Sequence, residues 1–158
     1  YGRHNEDFGT PNFFMSFIEV EVDLETGKAT VTDMLGGTDC GQIIDPGSAE
    51  MQVHGGIGAA SLDTAIYEEN IIDPGTGRPM TYDMINSKWR PFNELPRIDA
   101  CLVESKFETG YWGAIGFGEI AGAAAASAAM MAISNAIGIE VKEYPATPDV
   151  ILKALGKI

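Results

Sequence analysis

Phe13-Phe14-Met15-Ser16-Phe17-Ile18-Glu19-Val20-Glu21-Val22-Asp23, continued by Leu24-Glu25-Thr26-Gly27, is the stretch whose reading decides the fold class. Phe14, Ile18, Val20 and Val22 fall on one side of an alternation, the pattern of a half-buried strand. Asp23-Leu24-Glu25-Thr26-Gly27 reads as a turn closing on glycine, and residues 28–35 alternate again. Two alternating runs around a short loop containing Gly predict a β-hairpin over residues 13–35.

Beyond the hairpin the patterning changes period. Gly36-Gly37-Thr38-Asp39-Cys40-Gly41-Gln42 reads as a loop, and Asp45-Pro46-Gly47-Ser48 as a helix start with acceptor side chains. Residues 49–67 then predict one Gly/Ala-rich helix carrying Gln52 and His54, the latter read as a surface or satisfied histidine. Gly55, Gly56 and Gly58 each cost up to about 1 kcal/mol there against Ala, a penalty that close packing on a backbone or ligand would offset. Residues 70–90 read as a polar connector with turns at Asp73-Pro74-Gly75 and Gly77-Arg78-Pro79; residues 97–104 read as a strand. An Ala-rich helix is expected over 120–136, a short strand over 139–142, and a last helix over 150–155 opened by Thr147-Pro148-Asp149. The predicted class is α+β: a hairpin and mixed short strands packed with Gly/Ala-rich helices, one domain or fragment over 1–158.

Gly113-Ala114-Ile115-Gly116-Phe117-Gly118-Glu119 leads into the Ala-rich helix. Its glycines allow close approach of a ligand, and a helix N-terminus favours an anion. Glu119 at the junction is either a plain helix-dipole partner or a catalytic base. Gly116-x-Gly118-x-x-Ala121 also matches a dinucleotide fingerprint, with Glu140 or Glu143 about 20 residues on, but that motif needs a preceding buried strand. The uncharged run 120–139 has bilayer-spanning length, yet its Ala, Ser, Asn and Gly content suits a helix packed inside a protein.

Composition narrows the field. The 158 residues suffice for one domain with a real core, at 45% hydrophobic and 21% charged. A net charge of −13 argues against nucleic acid or an anionic membrane as partner. Cys40 and Cys101, without any C-x-x-C, argue against an iron–sulfur cluster or structural zinc in this chain and fit a reduced, cytoplasmic setting. The irregular lead-in over the first dozen residues and the start at Tyr1 suggest a piece of a longer polypeptide.

Six segments, in order, carry a resemblance. Phe17–Lys28 is similar to an "EVEVD-x-ETG" hairpin, Thr38–Pro46 to "DCG-x-x-INP", and Met51–Gly56 to "GQ-x-x-GG". Glu94–Ile98 is similar to "DLP-x-I", Gly116–Glu119 to "G-x-GE", and Ala146–Leu152 to "TP-E-x-[VIL]-L". These resemble the C-terminal part of the molybdenum-pterin-binding subunit of the molybdenum hydroxylases, the xanthine dehydrogenase and aldehyde oxidoreductase family. Departures occur at Ile115, where many members have Lys, at Ile120, where some have Pro, and at Ala59, often Gln.

The resemblance implies an oxidoreductase that hydroxylates a carbon of a purine, N-heterocycle, aldehyde or related aromatic substrate with water. It implies Glu119 as catalytic base and Gln52, Gly118, Gly41 and Cys40 beside the cofactor, with no metal ligand from the chain itself. The implied cofactor is molybdopterin, with the cytosine dinucleotide as one form. Implied partners are the remaining molybdenum-domain segment, iron–sulfur and flavin (FAD) subunits, and a small-molecule substrate. The family's subunit is several times longer, so the chain alone is expected to be inactive. The rival reading is a truncated, non-catalytic relative that only mediates subunit contacts.

Overall fold

Alternation becomes a hairpin where the sequence places it. In the computed structural model, which describes residues 12–56, 61–83, 85–108 and 110–158, β1 (Phe13–Val22) and β2 (Ala29–Asp39) pair antiparallel from Phe13↔Asp39 to Val22↔Ala29. Residues 1–11 of the expected lead-in lie outside the described residues. Asp23 Oδ1 accepts the Glu25 N–H at 2.8 Å to fold the turn, which Gly27 closes at φ +74°. A side chain at Gly27 would collide with the Pro148 carbonyl, 2.3 Å from an ideal Cβ, so the turn is packed directly under the last helix.

The strand expected over 97–104 forms as β3 (Arg97–Val103) and adds parallel to β2, from Asp33↔Arg97 to Asp39↔Val103. The sheet order is β1-β2-β3, with β2 central. Phe14, Ile18, Val20 and Val22 turn inward, while Phe13, Met15 and Phe17 stay exposed on the other face. The helices cover the inner face: α4 lies against β1, and Met34, Val53, Leu62, Ile133 and Ile151 are fully buried between the layers. This is the expected α+β arrangement.

Several local expectations change, the first being that Gly36 to Asp39, read as part of a loop, extends β2 and pairs with β1. The helix expected over 49–67 is interrupted: α1 spans Pro46–His54 and α2 Leu62–Ile66, with residues 57–60, including Gly58 and Ala59, outside the described residues. Asp45 caps α1 as foreseen, its carboxylate accepting from Gly47 N and Ser48 N at 3.1 and 3.4 Å. The Ala-rich helix is also broken, into α3 (Ile120–Ala123) and α4 (Ala125–Ile137). The buried hydroxyl of Ser61 enters the break, donating to Gly122 O at 2.6 Å and accepting from Ala126 N–H at 3.0 Å. In an unbroken helix these two backbone groups would bond each other. The segment from Ile120 to Ile137 is long and apolar enough to cross a bilayer by length and composition, but its stripe Ala121, Ala125, Ala129 and Ile133 is fully buried in the protein core.

The strand expected over 139–142 does not form. Gly138 ends α4 in the left-handed region, and Val141 N–H turns back to the Ser134 hydroxyl at 3.1 Å instead of to a strand. The last helix, α5 (Pro148–Ala154), begins two residues earlier than expected behind Thr147.

Candidate functional site

The elements meet in a cleft of about 330 Å³ at the carboxyl end of β2. Its walls come from three places: Cys40, Gln42 and Ile43 after β2, Ser48 and Gln52 on α1, and Ala114, Ile115, Phe117 and Gly118 of the glycine loop. Of the predicted residues, Cys40, Gln52 and Gly118 line this cleft. Gly41 and Glu119 each adjoin a lining residue.

The loop after β2 is held by backbone pairing across the cleft floor. Gly41 bridges Ala114, Gln42 N–H donates to Gly113 O at 2.9 Å, and Ile115 N–H donates to Cys40 O at 3.1 Å. Gly41 is required twice over: its φ is +70°, and a Cβ would sit 2.2 Å from Gly113 O. On the opposite side Trp112, in the turn before Ala114, is also left-handed, at φ 54° and ψ 20°, a conformation costing a non-glycine residue on the order of 1–3 kcal/mol.

Charged groups beneath this loop are already engaged. Asp39 accepts from Gly41 N–H at 3.0 Å, Ser105 N–H at 3.2 Å and the Ser105 hydroxyl, so these bonds hold its carboxyl below the usual range. Glu104 accepts the Ile43 N–H at 2.9 Å. Burial, reinforced by the charge of Asp39, pushes the Cys40 thiol up. At neutral pH Cys40 therefore presents a thiol rather than a nucleophilic thiolate.

The glycine loop is tied by two side-chain amides. Asn12 donates to Gly116 O, and Gln52 Nε2 donates to Gly118 O. The Gln52 Oε1 atom has no partner among the described residues. At Gly116 and Gly118 an added Cβ would meet no atom within 4 Å, so bare backbone faces open space. A flat heterocycle needs such a surface: neutral amides for its ring edges and room for close approach to the chain. The donor set fits a pterin in this respect. Among the described residues no group of His, Cys, Asp and Glu could hold a metal directly.

Glu119 stands at the N-cap of α3, exposed, and its side chain makes no capping hydrogen bond. No described residue bonds or pairs with its carboxylate. The expected anion site at this helix start is not built, because α3 is a single turn and carries little of a macrodipole. The dinucleotide reading also fails: β3 ends at Val103, and the residues before Gly116 form a 3₁₀ turn at Tyr111–Gly113, not a strand. His54 is exposed in the last turn of α1, as read from sequence. Ser61 was not among the predicted residues, because a serine in an apolar helical pattern carries no signal of a distant backbone partner.

Residues 2–96 match the family model of the molybdopterin cofactor-binding domain. The chain belongs to this family. It is 31% identical over 138 residues to the xanthine dehydrogenase molybdenum-binding subunit of Escherichia coli O157:H7, covering 87% of this chain and 18% of that protein. Quinoline 2-oxidoreductase from Pseudomonas putida 86 superposes with a TM-score of 0.80 at 29% identity, over 87% of this chain and 18% of the other. The aldehyde oxidoreductase of Desulfovibrio desulfuricans ATCC 27774 gives 0.81 at 29% identity, over 90% and 15%. The chain thus spans less than a fifth of the length of these relatives.

Proposed function

We propose that this chain forms the base-bearing wall of the cofactor cleft in a molybdenum-dependent oxidoreductase that hydroxylates a carbon centre with water. The observation that carries the reading is Glu119: a carboxylate at a helix N-cap that caps nothing and follows directly on a cleft residue. A purely structural carboxylate at this position would act on the helix dipole, and α3, a single turn, has little dipole to stabilise. Glu119 instead keeps its lone pairs available to accept a proton.

Hydroxylation of a C–H by water releases two electrons and two protons. When bound, the molybdenum-pterin supplies the redox and Lewis-acid chemistry. Glu119 takes a proton from the attacking water; Gln52, through its unpartnered Oε1, and the bare backbone at Gly118 hold the pterin edge. Gly41 and Cys40 support the opposite wall as a rigid, uncharged surface. The substrate is a purine, another N-heterocycle, an aldehyde or a related aromatic compound, in keeping with the names of the relatives. The remaining molybdenum-domain segment completes the pocket, and iron–sulfur and FAD subunits carry the electrons away, in a cytoplasmic complex.

The test is Glu119→Gln in the complete enzyme. It retains size and removes the base, so kcat should fall at least about a hundredfold with molybdenum still bound. Activity within a few-fold of wild type rejects the assignment.

A further inference from the structure

The segment that carries Glu119 is gripped from one side by three residues of the chain around α1 and α2. Gln52 donates to Gly118 O, one residue before Glu119. Gly56 presses its backbone on the first turn after it: a Cβ there would lie 2.7 Å from Ala121 Cβ and 3.3 Å from Gly122 N. Ser61 then breaks the helix beyond that turn, its hydroxyl standing between Gly122 O and Ala126 N–H.

The hydroxyl is suited to this insertion because it has one hydrogen to give and a lone pair to receive with. With both backbone groups satisfied by Ser61, α3 need not continue the axis of α4. Ser61 is buried, so water does not compete for either bond. The direction of the single turn bearing Glu119 is therefore set by α2's leading residue, not by α4.

We propose that Ser61 is a positioning residue for Glu119: it keeps α3 separate from α4 and so fixes the turn that starts at Glu119, directly after the cleft residue Gly118. The proposal rests on the reading of Glu119 as base. Nothing in it requires Ser61 to touch substrate or cofactor. A core serine with a purely structural role would lower stability when changed and leave turnover per folded, molybdenum-loaded enzyme untouched.

The experiment compares Ser61→Ala, Ser61→Thr and Glu119→Gln in the complete enzyme, with molybdenum content, kcat, KM and backbone amide exchange measured for each. In Ser61→Ala the orphaned Ala126 N–H should bond Gly122 O directly, joining α3 to α4, and exchange at Ala126 should stay slow. A displacement of about 1 Å at the base can cost up to about a hundredfold, so kcat should fall roughly ten- to a hundredfold with KM and molybdenum unchanged. Ser61→Thr, which keeps the hydroxyl, should recover most of that loss. The proposal is overturned if loaded Ser61→Ala turns over at the wild-type rate while Glu119→Gln does not. It is equally overturned if the crystal structure of Ser61→Ala keeps the break at Ala124 with Glu119 in place. Wild-type turnover by Glu119→Gln would remove the base assignment and with it the catalytic role of Ser61, whereas the variant's helix geometry judges the joining of α3 to α4 separately.

Discussion

Asp63 and Glu119 both stand at helix starts, and their surroundings are opposite. Asp63, in the first turn of α2, is buried against Arg90, whose Nε donates to Asp63 Oδ1 at 3.0 Å. The Arg90 guanidinium lies 5.7 Å from the centre of the Tyr67 ring, and the Tyr67 hydroxyl donates to Glu94 at 2.8 Å. Glu94 in turn meets Lys28 at 3.1 Å, so this side of the molecule closes a chain of charges. Glu119, at the start of α3, is exposed and has no partner among the described residues. A carboxylate whose lone pairs are filled holds a fold together and is poorly placed to receive a proton. One left unfilled contributes little to the fold and is free for chemistry.

That contrast can be broken by substitution. The largest stability effect should come from Asp63→Ala, which breaks the buried ion pair with Arg90, a side chain only 2% exposed; about 3–5 kcal/mol should be lost in chemical denaturation. A loss below about 1 kcal/mol would show that the pair is not the anchor described. Next, Gly41→Ala forces a left-handed alanine and a collision with Gly113 O, and roughly 1–3 kcal/mol should disappear from the same measurement. The Tyr67 phenol is smaller in effect. Burial, aided by the bond to Glu94, pushes its pKa up to about 12 from an ordinary value near 10. Its raised folded pKa gives stability that is present below about pH 10 and lost as pH rises from 10 to 12. Tyr67→Phe should flatten that alkaline decline while lowering neutral stability by about 1 kcal/mol. An unchanged alkaline profile would show that the fold does not hold the Tyr67 phenol up. Smallest of all, Glu119→Gln should leave stability within about 0.5 kcal/mol of wild type, despite the predicted loss of turnover. A large stability loss there would erase the distinction between the two acids.

Periodicity made some of this legible and could not reach the rest. Phe14, Ile18, Val20 and Val22 announced β1 and its inward face, and Asp45-Pro46 announced the start of α1. The strand at 97–103 was visible, but its parallel partner was not, since alternation fixes a face and not a neighbour. The break at Ala124 had only a weak local sign, Gly122 two residues earlier, and its cause is a hydroxyl remote in sequence. Ile139-Glu140-Val141-Lys142 has strand-forming residues but no sheet edge to join, and Val141 binds Ser134 instead. At the site, the glycine loop, Gln52 and Gly118 were drawn together from sequence pattern and resemblance. The grip of Gly56 and Ser61 on α3 depends on backbone approach, which side-chain patterning does not encode.

The parallel pairing of β2 with β3 also has a kinetic consequence. The β1–β2 hairpin closes over the few residues from Asp23 to Lys28, whereas β3 reaches β2 only after the whole connection between Asp39 and Arg97 has been looped back. The entropy of that closure is met before the parallel pairs return anything, so strand addition of this kind is the slow event in forming such a sheet. The cleft depends on it directly, because Asp39 to Ser105 and Gly41 to Ala114 are ties between the two sides of that loop. A nascent chain can thus hold its hairpin early and still lack the groove in which a heterocycle would bind.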